Sequence, residues 1–100
     1  MMKPAYWIAR STILNRDAYM EYVRLAGEAF RTLGDGPRML ARGGRQEIVE
    51  GASRFERHVL VEYPSFQAAL DFYHSPAYQR AAGIRLAGAG INELVIVEGA

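Results

Sequence analysis

The sequence contains no cysteine, a single lysine (Lys3), and no apolar stretch long enough to cross a membrane. Without cysteine the chain cannot form a disulfide, a thiolate zinc site or a thiol nucleophile. A membrane helix needs about 20 mostly apolar residues. Arg10 interrupts the first apolar stretch, which also lacks the apolar core of a secretory signal. We therefore expect a cytoplasmic protein that does not enter a membrane.

An excess of charge of one sign is missing too, because the formal net charge is +1. Nucleic-acid binding depends on many cations that neutralise phosphates, so this balance argues against it. Half of the residues are hydrophobic and 23% are charged, which is typical of a folded globular chain. One hundred residues suffice for one core, so we expect a single domain over residues 1–100.

Runs of β-branched and aromatic residues between turn residues predict the strands. The Val59-Leu60-Val61 centre of the third strand is apolar on both faces, which indicates a central position in the sheet. The fourth strand is wholly apolar and is expected to be buried. Four strands are predicted in all, over residues 5–13, 38–50, 55–63 and 94–97.

Amphipathic periodicity predicts helices after the first and third strands. The first spans residues 17–33, with Asn15 or Asp17 as its N-cap. The second begins at the Ser65 cap and continues through residue 73. Ser75-Pro76 then starts a further helical segment, because serine suits the cap and proline the first helical position.

The Gly43-Gly44 pair divides the second predicted strand. Either one strand is bent there by a glycine bulge, or a hairpin turns at the pair. Residues 51–53, Gly-Ala-Ser, turn the chain again before the third strand.

The resulting order, β-α-β-β-α-β, is that of the ferredoxin-like α+β fold, in which the helices cover one face of an antiparallel sheet. Apolar residues occur on both faces of the first strand, with Tyr6 and Ile8 on one and Trp7 and Ala9 on the other. An uncovered apolar face would exceed the patch size that is usual on monomers. We therefore predict a homodimer that packs sheet against sheet.

Arg42, Gly43 and Gly44 are the first candidate ligand site. Backbone N–H groups at consecutive glycines can converge on an anion, while an arginine clamps a carboxylate or phosphate. The alternative is a turn or bulge that needs a positive φ. Arg42 is the stronger candidate, because its alternation with Leu40 directs it to a half-buried sheet face.

His58 and Glu62 share one face of the third strand and are candidate catalytic residues. Such a pair can move a proton near neutral pH. Four residues along a strand separate them by about 13 Å, so a third group or a ligand would have to lie between them. The alternative is a partly exposed histidine and a carboxylate at the edge of the sheet. Two such ligands make a poor metal site, and we expect no metal.

The junction of the last two helical segments carries further candidates, whose hydroxyls could orient a small polar ligand. Ser75 could equally be only a helix cap, and the tyrosines only core residues. An aromatic residue beside a pocket could stack on a planar ligand. The candidates around this region are Trp7, Tyr73, Ser75, Tyr78 and Arg85.

Several segments together resemble the bacterial domain of unknown function 1330 family, of the dimeric α+β barrel superfamily. They are AYWIAR at 5–10, LARGG at 40–44, EYPS at 62–65, YHSPAYQ at 73–79 and LVIVEG at 94–99. Residues 33–38 depart from the family pattern, which expects a shorter link into the second strand. The resemblance implies the fold and the dimer. It implies no single reaction, since the superfamily includes cofactor-free monooxygenases, lactone isomerases and haem-handling enzymes.

Three functions are consistent with these residues. The first is an enzyme without a cofactor that acts on a small aromatic or carboxylated molecule. In it Arg42 holds an anion, His58 acts as a base, and Tyr73 or Tyr78 orients the substrate. The second is a ligand-binding or sensing dimer without chemistry. The third is a structural or interaction module.

Overall fold

The computed structural model describes residues 2–52 and 54–100, and its centre is a four-stranded antiparallel sheet. The strands lie in the order β2-β3-β1-β4, so that β1 and β3 are central, as predicted. Their bounds are β1 Ala5–Ile13, β2 Arg38–Arg42, β3 Arg57–Tyr63 and β4 Gly90–Glu98.

Helices cover one face of this sheet. Their bounds are α1 Arg16–Arg31, α2 Phe66–His74 and α3 Pro76–Ile84, and an irregular turn, Arg85–Ala89, with φ +114° at Gly88, follows α3. Side-chain oxygens of Asn15, Ser65 and Ser75 accept hydrogen bonds from backbone N–H groups at the starts of α1, α2 and α3. None of the helices in the described part of the chain is long and apolar enough to span a membrane.

The core lies between the sheet and the helices. Alternate residues of β1 point into it, so that Trp7 is buried while Tyr6 and Ile8 on the other face are half-buried. The core cluster consists of Trp7, Ala29, Val61, Tyr63, Ala69, Phe72, Tyr78 and Ala82.

The second strand is shorter than predicted and ends at Arg42. The register shifts between Met39 and Ala41, so the irregularity falls at Leu40 and not at the glycine pair. Gly43 has φ +63°, which ends the strand, and its N–H donates to the carbonyl oxygen of His58 at 2.8 Å. Residues 43–52 and 54–56 contain no strand, so both predicted strand arrangements there are wrong. Of the predicted turn at 51–53, Ser53 lies outside the described residues.

The last strand, β4, is an edge strand, and only one of its faces meets the core. Leu94 and Ile96 pack against the core cluster, whereas Val95 and Val97 remain 49% and 45% exposed. The prediction that all of 94–97 is buried is therefore wrong for a single chain. We call the uncovered side of the sheet the open face; by strand register it carries Tyr6, Ile8, Arg10, His58, Leu60, Glu62, Glu93, Val95 and Val97.

Candidate functional site

A cavity of about 360 Å³ lies between α1 and the helix-covered face of the sheet. This volume is at the lower end of the range for small-molecule sites. Alternate residues of β1 and β3 form its floor, because side chains that are two positions apart on a strand point to the same face. These floor residues are Trp7, Ala9 and Ser11 from β1, and Arg57, Val59, Val61 and Tyr63 from β3.

One wall of the cavity is aromatic. Trp7 lies at its centre, with the Tyr78 ring edge-on at a centroid distance of 5.0 Å and the Phe72 ring at 5.6 Å. Phe30 from α1 meets Phe72 nearly at right angles, with 6.3 Å between the ring centroids. These rings make this side of the cavity apolar, and an aromatic side chain beside a cavity can stack on a planar ligand.

The charged residues that line the cavity are all arginines, namely Arg31, Arg42, Arg57 and Arg85. Within residues 2–52 and 54–100, no aspartate, glutamate or histidine lines it. Ion pairs with glutamates engage Arg10, Arg24 and Arg38 elsewhere, but none joins a cavity arginine to a carboxylate of the described chain. The cavity therefore attracts an anion.

The position of Arg57 depends on the glycine that ends β2. The guanidinium carbon of Arg57 lies 5.9 Å from the centre of the Tyr19 ring. The Nε of Arg57 is buried without a hydrogen-bond partner in the described chain. A β-carbon on Gly43 would collide with the Arg57 guanidinium. Gly43 thus makes room for an arginine that sequence reasoning did not select.

Arg85 is the most deeply placed of the four, with only 5% of its surface exposed. Its guanidinium carbon lies 5.3 Å from the centre of the Tyr22 ring, and its Nε has no partner among the described residues. Asn92 fixes the backbone by donating to the Arg85 carbonyl oxygen at 3.3 Å. Ser11 in turn donates to the Asn92 side chain at 3.1 Å. These hydrogen bonds tie the backbone of Arg85 to β1 and β4.

Two tyrosine hydroxyls lie beside Arg85. The oxygens of Tyr22 and Tyr78 are 3.0 Å apart, so one hydroxyl donates to the other. Burial raises the pKa of Tyr78 above its ordinary value, and the positive charge of Arg85 offsets this only in part. Burial likewise raises the pKa of Tyr22. Both phenols are therefore protonated at neutral pH and can donate hydrogen bonds.

The structure brings four of the sequence-predicted site residues into this cavity, namely Trp7, Arg42, Tyr78 and Arg85. Gly43 lies against Arg57 at its edge, whereas a β-carbon added at Gly44 would meet nothing within 4 Å. Ser75 caps α3, while the Tyr73 ring packs on Trp7 and His74; neither residue lines the cavity.

His58 and Glu62 lie on the open face, on the other side of the sheet from Arg42 and the cavity. Glu62 accepts a hydrogen bond from the Tyr6 hydroxyl at 3.2 Å and pairs with Arg38 at 3.4 Å. The two residues alternate with Val59 and Val61, which line the cavity, and therefore cannot share it. The expected arrangement, with His58 as a base beside Arg42, is not formed. A catalytic role of His58 and Glu62 stays a prediction for the open face.

Sequence reasoning missed two further kinds of cavity residue. Arg57 is in phase with Val59 and Val61, so strand alternation alone could have placed it on the cavity side. Tyr19 and Tyr22 lie on the apolar side of α1, and such a side is typical of a helix that packs on a sheet. Without strand pairing, nothing indicated that these side chains meet.

The described residues contain no group of three or more histidine, aspartate and glutamate side chains arranged to hold a metal ion.

Residues 4–100 match the family described as Domain of unknown function (DUF1330). The chain belongs to this family. The match extends over nearly the whole sequence, in agreement with the resemblance of the segments discussed above. A comparison with the curated proteins gives no match.

Solved structures show the same ferredoxin-like α+β fold. A protein of unknown function from Rhodopseudomonas palustris has a TM-score of 0.76 at 19% identity, over 100% of this chain and 85% of that one. A dimeric ferredoxin-like protein of unknown function from Jannaschia sp. CCS1 has a TM-score of 0.77 at 17% identity, over 96% and 99%. A cofactor-independent oxygenase from Streptomyces nogalater has a TM-score of 0.60 at 12% identity, over 98% and 94%. At these identities the likeness concerns the fold.

Proposed function

We propose that the protein binds a small molecule with a planar, apolar body and a carboxylate in the cavity between α1 and the sheet. The observation that carries this is the set of four arginines without carboxylate partners among the described residues, beside an aromatic wall. Arg42 and Arg57 are more exposed than Arg85. They hold the carboxylate near the opening, while the body of the ligand lies against Trp7.

We further propose that the working unit is a homodimer without a bound cofactor. The open face carries Ile8, Leu60 and Val95 at its centre, and a second sheet would remove these apolar side chains from water. The similar protein from Jannaschia is described as dimeric, which supports this arrangement.

Catalysis without a cofactor on the same ligand is the second candidate function. It is favoured by the guanidinium of Arg85 and the protonated Tyr22 and Tyr78, since such donors in an apolar cavity can stabilise a developing oxyanion. The structure from Streptomyces nogalater that is described as a cofactor-independent oxygenase has the same fold, which supports this candidate.

Titration calorimetry with benzoate, 2-naphthoate and the matching amides tests the proposed function. We expect each carboxylate to bind at least about tenfold more tightly than its amide, because a charge-assisted hydrogen bond contributes about 1.5–3 kcal/mol. Arg57→Gln should reduce this preference several-fold, since Arg42 remains. Arg10→Gln is the matched control, since Arg10 pairs with Glu93 on the open face.

Equal affinities for acid and amide would contradict the proposal, as would an equal loss of affinity in Arg57→Gln and Arg10→Gln. Turnover of a bound compound would decide in favour of the enzyme, and saturable binding without turnover would support the binding protein.

A further inference from the structure

We propose that the buried end of the cavity, formed by Arg85 and the hydroxyls of Tyr22 and Tyr78, is an oxyanion subsite. It binds an ionised hydroxyl oxygen, a phenolate or enolate, on the same conjugated ligand. This inference rests on the proposed function and adds to the ligand a second oxygen, separate from its carboxylate.

The first argument is the burial of an uncompensated charge. Arg85 is 5% exposed, and its Nε has no partner within the described chain. The Tyr22 ring at 5.3 Å and the Tyr22 and Tyr78 hydroxyls, which hydrogen-bond with the guanidinium, are its neighbours, and none of them supplies a negative charge at neutral pH. Because a buried cation without a counter-charge is costly, an anionic oxygen at this position would be bound strongly.

The second argument is the chemistry of the neighbouring groups. The titratable and charged side chains that face the cavity are arginines and tyrosines only. Of the Tyr22 and Tyr78 protons, one is used between the two oxygens, which leaves the other for a ligand. A ligand hydroxyl would meet cations and a phenolic donor but no carboxylate, so its ionised form is preferred.

The third argument is preorganisation. Arg85 directly follows α3, and its carbonyl oxygen accepts a hydrogen bond from Asn92, which in turn accepts one from Ser11. The guanidinium is buried against the Tyr22 ring. A fixed cation needs no rearrangement when the oxyanion binds, which increases its effect.

The probe for this subsite is 4-nitrophenol, whose ionisation is visible in its absorbance spectrum. We expect the pKa of the bound probe to be at least about one pH unit below that of the free probe, which is a tenfold preference for the phenolate. Arg85→Met should abolish this difference and Tyr78→Phe should reduce it. Arg10→Gln, on the open face, should leave it unchanged.

Methionine fills much of the volume of the arginine side chain and removes the unpaired charge, so Arg85→Met is expected to fold; circular dichroism checks this. Should that variant not fold, Tyr78→Phe still decides, because an unchanged pKa of the bound probe would then overturn the subsite. An unshifted pKa in the unmodified protein, a lack of probe binding, or a shift that persists in Arg85→Met overturns it as well. If benzoate still binds, only the subsite fails; if benzoate does not bind either, the proposed function fails with it.

Discussion

Arg85 illustrates how one side chain can favour ligand binding over stability. Removing a guanidinium from water costs several kcal/mol, and no carboxylate of the described chain compensates for it. The Tyr22 ring at 5.3 Å returns about 1–2 kcal/mol through a cation–π contact. The part of the desolvation cost that the cation–π contact does not offset can be recovered when a ligand supplies a negative charge.

The buried tyrosines make stability depend on pH in the alkaline range. Burial raises the pKa of Tyr22, Tyr63 and Tyr78 above the ordinary value of 10.0. Their contribution to stability is complete below pH 10.0, and it is lost as the pH rises above that value, because the tyrosines of the unfolded chain then release protons first. Urea denaturation should show the free energy of unfolding falling by about 1 kcal/mol or more between about pH 9 and about pH 11.

Tyr63→Phe is the matched variant, since it removes one of these groups and should make the alkaline decline shallower. A free energy of unfolding that is the same at both pH values would show that the buried phenols do not contribute.

At the scale of the elements, the end of β2 determines what the cavity contains. Gly43 adopts φ +63° and leaves space for the guanidinium of Arg57. Its N–H also joins β2 to β3 through the His58 carbonyl oxygen. One glycine therefore ends a strand and admits a cation to the ligand site.

Gly43→Ala should lower the free energy of unfolding by about 1 kcal/mol, because alanine is disfavoured at positive φ. It should also weaken benzoate binding several-fold, since the new methyl group displaces Arg57. Gly44→Ala is the control, because Gly44 has no positive φ and an added β-carbon there would meet nothing within 4 Å. Chemical denaturation and calorimetry measure both effects, and equal behaviour of the two variants would contradict this role of Gly43.

Elements with strong local signals were predictable from the sequence. The bounds of β1 were predicted correctly, and the Ser65 and Ser75 caps stand where their local patterns indicated. The end of β2 was not predictable, because a glycine pair is compatible with a bulge, a hairpin or a terminus. Of the predicted site residues, Trp7, Arg42, Tyr78 and Arg85 line the cavity. Arg57 and Tyr22 were missed because their meeting depends on strand register and on the packing of α1.

At the scale of the whole molecule, the sheet separates two different surfaces. One side forms the cavity beneath the helices, and the other exposes a mixed apolar and charged face. On the open face Ile8 pairs in register with Leu60 on one side and Val95 on the other, which forms an apolar stripe across three strands. Such a stripe suits a second copy of the same chain.

Val95→Glu should dissociate the proposed dimer, because the new carboxylate would be buried without a partner at its centre. Analytical ultracentrifugation at micromolar concentration should then show an 11.2 kDa species, whereas we expect the unmodified protein to sediment at twice that mass. Met20→Glu, at an exposed position of α1, is the control and should not change the mass. An unmodified protein that sediments as a monomer would contradict the dimer.

The alternation along β1 places the residues that contact a ligand and the residues of the proposed dimer interface on opposite faces of the strand. Odd-numbered positions such as Trp7 and Ser11 face the cavity, while even-numbered ones such as Ile8 and Arg10 face outward. Ligand preference and self-association can therefore drift independently through point substitutions in the same nine residues. Insertion of a single residue would instead exchange the two sets at once. Point substitutions in β1 can therefore change one face at a time, whereas an insertion or deletion within the strand would disturb both faces.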